Sequence, residues 1–235
     1  MGRQWLQKNR SINAAKRAKI FNKLVRDISI AAKHGLPDPA MNPRLAVAVE
    51  AARKQSVPND RIQRAIQKGA GVGDEKLELE LVTYEGFAPH RVPVIVECMT
   101  DNRNRTAPEM RNLFRNGQLG AKVSFLFDHV GIVEAAREDV GAVDLEEAAI
   151  LAGAQHVEAA ELEDGPGARF LTDRTDLDKV TKSLGEAGWT IATSEIGYVA
   201  KDPVDLAPEQ RAEVGEFLEA VDDNDDVHRI YAALR

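Results

Sequence analysis

The segment that most constrains the fold is Val82–Phe114, whose sequence is VTYEGFAPHRVPVIVECMTDNRNRTAPEMRNLF. Two runs within it, residues 82–87 and 92–99, are rich in β-branched, aromatic and other apolar residues, which are typical of strands. The short connection between them, residues 88–91, predicts that these strands form a hairpin. A polar turn, residues 101–105, then leads into a predicted helix. The segment therefore predicts a strand, a second strand and a helix in immediate succession.

The predicted helix starts where this turn ends. Thr106 is the predicted N-cap, and Glu109 stands three residues later to complete a capping box. Pro108 falls in the predicted first turn, where its missing N–H costs nothing. Backbone donors at a helix N terminus, beside the guanidinium groups of Arg103 and Arg105, would bind an anion such as a phosphate. The alternative is a solvated turn at the edge of a sheet.

The motifs YEGF, VIVE and TDNRNRT, with the acidic DDNDDV near the C terminus, closely resemble the YebC family, which includes the mitochondrial translational activator of cytochrome oxidase. The N-terminal GRQW and KIFNKLVRDI resemble that family too, so the resemblance covers nearly the whole chain. It implies a three-domain, non-enzymatic cytosolic protein that is a probable transcriptional regulator. In several members it implies a ribosome-associated translation factor.

Two segments depart from the family pattern. Ala88-Pro89-His90-Arg91 stands where the family has a glycine-rich, GPGG-like turn. Residues 116–123 are shorter than the usual glycine-rich segment that ends in GSV. Both departures concern the loops of the central domain.

Charge is distributed very unevenly along the chain. Residues 1–68, the basic head, contain 15 Lys or Arg against 4 Asp or Glu, a formal charge of +11. Residues 69–235, the acidic body, contain 16 against 34, a formal charge of −18. This asymmetry is typical of a protein whose head binds nucleic acid or the ribosome. The alternative is a solvated surface on a small helical domain.

The basic head predicts three helices that each carry one apolar face and together form a bundle. The first is predicted over residues 11–33 with Ser11 as its N-cap, the second over residues 43–54, and the third from Pro58 to its stop at Gly69. No helix shows an evident set of base-reading side chains, so the sequence gives little support for recognition in the major groove.

The candidate nucleic-acid contacts are cations of the first helix, with two arginines of the central turn as a second anion contact. They are Lys8, Arg10, Lys16, Arg17, Lys19, Lys23, Arg26, Arg103 and Arg105. Because the head contains so few anions, most of its cations lack a partner within the head. This imbalance favours contact with a phosphate backbone.

A second pattern of strands and helices begins near residue 129. It consists of strands at 132–133, 157–162, 169–172 and 190–199 and helices at 145–152 and 177–187, in the order βαββαβ. This order is the split βαβ arrangement of ferredoxin-like domains, and Asp144 and Asp176 are candidate helix caps. An apolar strand is predicted before it at 123–127. A last helix, 209–221, and a strand, 227–231, would complete the central sheet.

The predicted fold class is α+β: an N-terminal three-helix bundle followed by two ferredoxin-like α/β sandwich domains, the second inserted in the first. The predicted domains are residues 1–76, a basic helical bundle and linker; residues 77–128 plus 205–235, the central α+β domain; and residues 129–204, the inserted ferredoxin-like domain. Separation of residues 205–235 from residues 77–128 would refute this split.

The sequence carries no recognisable catalytic or metal-binding motif. The single cysteine, Cys98, excludes an internal disulfide and a multi-cysteine zinc site, and its strand position predicts a buried thiol. The acidic run at residues 222–226 lacks the glycine and glutamate that a calcium loop needs. No cofactor, metal or small-molecule substrate is therefore expected. With no apolar run of membrane-spanning length and no signal peptide, we expect a cytoplasmic protein with no membrane partner.

Three functions of different kinds are consistent with these patterns. The leading hypothesis is a non-enzymatic nucleic-acid-binding regulator. It would be either a DNA-binding transcriptional regulator or a translation factor that contacts ribosomal RNA, for example on the large ribosomal subunit. The second is a protein-interaction module that docks a basic partner through the acidic body. The third is an enzyme that uses the crevice between the α+β domains, for which no motif argues.

Overall fold

The computed structural model describes residues 4–72, 80–162 and 165–235, with side chains described from residue 17 onward. The helices are α1 (Gln4–His34), α2 (Pro43–Lys54), α3 (Asn59–Gly69), α4 (Arg103–Leu113), α5 (Leu145–Ala152), α6 (Leu177–Glu186) and α7 (Pro208–Asp222). The strands are β1 (Glu80–Phe87), β2 (Pro93–Thr100), β3 (Gln118–Leu119), β4 (Phe127–Ala136), β5 (His156–Leu162), β6 (Gly165–Thr172), β7 (Thr190–Ala200) and β8 (Val227–Ala232). The fold is mixed α+β with N-terminal helices and two antiparallel sheets, which confirms the predicted class.

The three N-terminal helices share one apolar core. It consists of Ile28, Ala32, Leu45, Val49, Ala52, Val57, Ile62, Ala65 and Ile66. Asn42 joins α1 to α2: its side-chain oxygen accepts from the Leu45 N–H at 3.1 Å, and its Nδ2 donates to the Ala31 carbonyl at 3.0 Å. The predicted start of α1 at Ser11 is wrong, because residues 4–10 contain no glycine or proline and the helix simply extends through them.

Gly69 is needed at the crossing of α1 and α3 rather than as the left-handed helix stop that the sequence suggested. A Cβ at this position would lie 2.3 Å from the Ser29 carbonyl oxygen and 2.9 Å from the Ala32 Cβ. The left-handed conformation falls two residues later, at Gly71, with φ 70°. The absence of a side chain at Gly69 therefore lets the backbones of α1 and α3 approach closely.

The first sheet has the strand order β3-β1-β2-β8. The predicted hairpin is present, with β1 and β2 paired from Glu80↔Thr100 to Phe87↔Pro93. β8 pairs with the other edge of β2, so the C-terminal strand lies in the same sheet as residues 80–100. Helices α4 and α7 cover one face, where the thiol of Cys98 is fully buried. This observation confirms the expected structural cysteine.

The turn that departs from the glycine-rich family pattern is backbone-strained. His90 and Arg91 adopt φ values of 57° and 60°, in the left-handed region that glycine enters at little cost. Both side chains are nevertheless held in place. His90 Nε2 lies 2.8 Å from Glu213 Oε2, and the Arg91 guanidinium carbon lies 5.4 Å from the centre of the Phe87 ring.

The second sheet has the strand order β5-β6-β4-β7, with α5 and α6 as its helices. Chain order βαββαβ combined with this strand order is the ferredoxin-like arrangement that the sequence predicted. Asp144 caps α5 as predicted, since its carboxylate accepts from the backbone N–H groups of Glu146 and Glu147. Asp176 occupies the N-cap position of α6 but makes no capping hydrogen bond with its side chain.

The strand predicted at residues 123–127 is wrong. Residues 124–126 form a short 3-10 helix, and β4 begins only at Phe127. The physical reason is that the carboxylate of Glu85 accepts hydrogen bonds from the backbone N–H groups of Val123 and Ser124, each at 2.9 Å. These two donors are consequently not available to a neighbouring strand.

The chain divides into two compact units whose boundaries fall within β4 and β7. One consists of the described parts of residues 1–77 and 131–195, and the other of the described parts of residues 78–130 and 196–235. Within the first unit, Arg44 of α2 pairs with Asp178 of α6 at 2.8 Å. The division into three domains given above stays a prediction. Among the described residues, no helix is long and apolar enough to cross a membrane.

Candidate nucleic-acid interface

The cations selected from the sequence of the head all lie on α1. The side chains of Lys8, Arg10 and Lys16 lie outside the described residues. Arg17 is exposed, and its guanidinium carbon lies 5.9 Å from the centre of the Phe21 ring, a cation–π geometry that holds it against the helix. A long stem packed in this way leaves the charged end of Arg17 at the surface.

The remaining α1 candidates are less accessible. Lys19, Lys23 and Arg26 are half-buried, and each takes part in an interaction with another group of the protein. They lie in the part of α1 that contributes Val25 and Ile28 to the packing of the head. These three cations add to the positive potential of the head, but a ligand would reach them less easily than it would reach fully exposed cations.

A second set of cations, which the sequence analysis did not select, is fully exposed at the end of α2 and on α3. Its members are Arg53, Lys54, Arg61, Arg64 and Lys68. The signal was available in the sequence. Ile62, Ala65, Ile66 and Gly69 recur at helical spacing and are buried, so the intervening residues of α3 must face solvent.

These exposed cations have few partners within the protein. Arg64 pairs with Asp60 one turn earlier on the same helix, and Arg53 lies only within 4.0 Å of Glu50. Within the described parts of the chain, the side chains of Arg61 and Lys68 form no hydrogen bond or ion pair. Exposed pairs of this kind contribute at most about 1 kcal/mol, so they would yield readily to a phosphate.

The predicted anion site at the start of α4 has a different geometry from the expected one. Asn102, not Thr106, is the N-cap: its side-chain oxygen accepts from the backbone N–H groups of Asn104 and Arg105, at 3.0 and 3.2 Å. Thr106 and Pro108 lie inside the helix, so the predicted capping box with Glu109 is wrong. Asn102 therefore already occupies the backbone donors that a phosphate would need.

Thr106 is used instead in a buried polar cluster around Asp226. The Asp226 carboxylate accepts hydrogen bonds from Thr106 Oγ1 at 2.7 Å and from Thr100 Oγ1 at 3.2 Å. Arg105 Nη2 donates to both carboxylate oxygens at 2.9 Å and also to Asp101 at 3.1 Å. Asp226 is 5% exposed, whereas the Arg105 side chain is about half exposed.

The surroundings of Asp226 favour its ionised form. Burial alone would raise the pKa of this carboxyl group, but the hydrogen bonds from Thr106 and Arg105 and the charge of Arg105 lower the pKa below its ordinary value. The ion pair in turn raises the pKa of Arg105. The Arg105 guanidinium is therefore committed to a carboxylate cluster that positions the start of α4.

Arg103 is the more accessible of the two central arginines. Its Nε lies 2.6 Å from Glu80 Oε2, and its side chain is 63% exposed. Because both arginines face carboxylates and Asn102 caps the helix, the described geometry gives a phosphate less at this turn than the sequence suggested. The role of Arg103 and Arg105 as anion contacts stays a prediction.

The acidic turn between α7 and β8 acts as the partner of this helix start. Asn224 Nδ2 donates to Glu109 Oε2 at 2.9 Å, and Asn224 Oδ1 accepts from the Asp226 N–H at 2.9 Å. No group of three or more His, Cys, Asp or Glu residues suited to a metal ion occurs in the described part of the chain. The two motifs TDNRNRT and DDNDDV are thus joined in space by hydrogen bonds.

Comparisons with protein families agree with the motifs quoted above. Residues 3–72 match the family model described as the TACO1/YebC protein N-terminal domain. Residues 79–234 match the model described as the TACO1/YebC second and third domain. Together these two matches cover nearly the whole chain.

Whole-length relatives carry regulatory names. The chain is 50% identical to a probable transcriptional regulatory protein of Pseudomonas fluorescens (strain Pf0-1), over 100% of this chain and 99% of the relative. It is 45% identical to one of Bdellovibrio bacteriovorus, over 100% of both chains. The crystal structure of a conserved hypothetical protein from Aquifex aeolicus is also similar, with a TM-score of 0.80 and 37% identity over 94% of this chain and 91% of that chain.

Proposed function

Because the chain belongs to the TACO1/YebC family, we propose that it is a non-enzymatic regulatory factor that binds nucleic acid through its basic N-terminal helices. The names of its relatives support the coarser statement, that it is a probable transcriptional regulator. The proposal adds a physical contact between the head and a phosphate backbone. It also assigns the protein to the cytoplasm.

The observation that carries this proposal is the charge of the head. Its formal charge is +11, while the rest of the chain carries −18. An acidic body repels a polyanion, so an elongated nucleic acid would be held at the head and kept away from the remaining surface. Exposed cations of α1, α2 and α3 supply the charges that release counterions when a phosphate backbone binds.

Two nucleic acids fit this mode of binding. Duplex DNA suits the regulatory names of the relatives. Structured ribosomal RNA, for example on the large ribosomal subunit, suits a surface with few aromatic side chains for stacking, because only 5% of the residues are aromatic. The binding assay below separates the two.

The test is fluorescence anisotropy with duplex DNA and with a structured ribosomal RNA fragment, each measured over a range of salt concentrations. The affinity should fall steeply with salt. Replacement of Lys16, Arg17, Lys19 and Lys23 with Gln should weaken binding and flatten the slope of log K against log salt.

A matched control removes four lysines of the body instead, by replacing Lys122, Lys179, Lys182 and Lys201 with Gln. It changes the net charge equally, so an equal loss of affinity in both variants would point to bulk charge and would contradict a specific role for the head. Sedimentation with ribosomes at low and moderate salt completes the test. Absence of binding to DNA, RNA and ribosomes would refute the proposal.

An acidic face on α7 supports a second candidate function, a module that docks a basic protein. Glu209, Glu213, Glu216 and Glu219 are all exposed, while Val214, Phe217 and Val221 face the core. If this face is the functional surface, conversion of the four glutamates to Gln would abolish ribosome association. The head variant would leave that association intact.

A further inference from the structure

Helix α3 has a surface of unusual composition for a small helical bundle. Its buried residues are Ile62, Ala65, Ile66 and Gly69. All of its other residues are exposed, and they include the cations Arg61, Arg64 and Lys68 and the amides Gln63 and Gln67. At about 100° per residue, the three cations line one side of the exposed face and the two glutamines line the other.

The side chains on this face are suited to bases as well as to phosphates. Arg donates two hydrogen bonds to guanine, and Gln pairs with adenine through one donor and one acceptor. Within the described parts of the chain, Arg61, Gln63, Gln67 and Lys68 form no side-chain hydrogen bond or ion pair. Asp60 contacts Arg64 and holds its guanidinium along the helix. A ligand would therefore displace only one weak exposed pair on α3.

The connection between α2 and α3 resembles the turn of a helix-turn-helix unit. The helices are separated only by residues 55–58, and Ser56 has a φ of 62°, the left-handed conformation that such a tight turn uses. Val57 is buried in the core of the head and anchors the turn. The exposed Arg53 at the end of α2 lies beside the turn, where a phosphate backbone would cross.

We infer that α2 and α3 form a helix-turn-helix unit in which α3 enters the major groove of duplex DNA. Arg61, Gln63, Arg64 and Gln67 face the base edges, and Arg53 and Lys68 face the phosphates. α3 has 11 residues and is therefore about 16 Å long at 1.5 Å per residue. A helix about 10–12 Å across fits the B-form major groove, about 12 Å wide, but not the deep and narrow major groove of A-form RNA.

This inference rests on the proposed function and identifies the element that carries it. It also differs from the contacts selected on α1, because the α1 cations described beyond Arg17 are half-buried. The close approach at Gly69 seats α3 against α1 and leaves the opposite face of α3 turned outward. In this arrangement α1 contributes positive potential, while α3 makes the contacts.

The experiment compares two full-length variants with the wild-type protein. The first replaces Arg61, Arg64 and Lys68 with Gln and tests phosphate and guanine contacts. The second replaces Gln63 and Gln67 with Ala and tests base recognition without any change in charge. Both sets are exposed helix positions that accept good helix formers, and circular dichroism melting verifies that each variant folds.

Enrichment from a random duplex library first defines the sequence preference of the wild-type protein, and anisotropy then measures binding to the enriched and scrambled duplexes. The cation variant should reduce the salt slope by about 2–3, at about 0.9 per lost phosphate contact. The glutamine variant should retain the salt slope and lose about 5- to 150-fold in preference for the enriched duplex, the value of a bidentate base contact. A control with Lys179, Lys182 and Lys201 replaced by Gln should retain both properties.

The outcomes separate this inference from the proposed function. A wild-type protein that binds no nucleic acid overturns both. Salt-dependent binding that the α1 substitutions weaken and the α3 cation substitutions do not weaken overturns the role of α3 alone. Binding without any sequence preference, or preference for structured RNA over duplex DNA, overturns the assignment to the major groove and leaves nucleic-acid binding by the head in place.

Discussion

The cluster around Asp226 gives the sharpest prediction about stability. Replacement of Asp226 with Asn keeps the size of the side chain but removes its negative charge and presents an amide group to donors. Arg105, Thr106 and Thr100 all donate hydrogen bonds to this carboxylate, at 2.7–3.2 Å. The substitution therefore leaves several donors facing another donor where α4 meets the turn before β8.

The magnitude follows from the burial of Asp226, whose side chain is 7% exposed. Loss of one partner in a buried ion pair destabilises a protein by about 3–5 kcal/mol. The Arg105 side chain is 47% exposed, so water can replace part of the lost interaction. We therefore expect a loss of about 2–3 kcal/mol at neutral pH, which lowers the melting temperature by about 4–12 °C for a chain of this size.

Urea denaturation followed by circular dichroism measures this loss, with Asp225→Asn as the control. Asp225 is exposed in the same turn, so its replacement should change the free energy of unfolding by no more than about 0.5 kcal/mol. Equal effects of the two substitutions at pH 7 would contradict the role assigned to Asp226.

The pH dependence provides a second criterion. The pKa of Asp226 is lowered in the folded protein from its ordinary value of 3.8, because the hydrogen bonds from Thr106 and Arg105 outweigh the effect of burial. The stabilisation is therefore complete above pH 3.8 and is lost as the pH falls through the lowered pKa of the folded state. The gap between wild type and Asp226→Asn should narrow in acid, and a constant gap would refute the electrostatic explanation.

Three further predictions concern other contacts. Gly69→Ala should destabilise the head by about 1–3 kcal/mol in thermal unfolding because its Cβ would lie 2.3 Å from a carbonyl oxygen of α1, whereas Gly215→Ala, with nothing within 4 Å, should be neutral or stabilising. Glu85→Gln should speed amide exchange at residues 123 and 124 by about 5- to 30-fold at pH 7, and less below pH 4.5 because hydrogen bonds to these amides lower the pKa of Glu85 against the effect of burial. A double-mutant cycle on Arg44 and Asp178 should give a coupling of about 0.5–1 kcal/mol, and a value near zero would remove this contact as a link between α2 and α6.

Sequence patterns located the elements of the fold where local chemistry determines them. The bounds of α5 match the prediction because Asp144 supplies a side-chain cap and Gly153, with φ 82°, supplies the left-handed stop. The burial of Leu45, Val49 and Ala52 in α2 likewise follows from their spacing alone. In such segments the same residues specify both the start of the element and the face that it buries.

Prediction failed where distant residues decide between two local solutions. Asn102 and Thr106 are both good N-cap residues four positions apart, and only Thr106 is followed by Glu at the capping-box spacing. The contact that decides between them joins Thr106 to Asp226, which is 120 residues away along the chain. No local pattern contains that contact, so the helix start was placed four residues late.

The same limitation explains why the sequence analysis selected α1 instead of α3 as the nucleic-acid contact. A count of cations favours α1, but the packing of the head determines which cations a ligand can reach. The crossing at Gly69 buries one face of α3 against Ser29 and Ala32 and exposes its glutamines and cations together. Because that crossing depends on a glycine at one position, Gly69→Ala should disturb the exposed face of α3 as well as the stability of the head. A functional role for α3 therefore predicts that Gly69→Ala weakens duplex binding even at temperatures where the head remains folded.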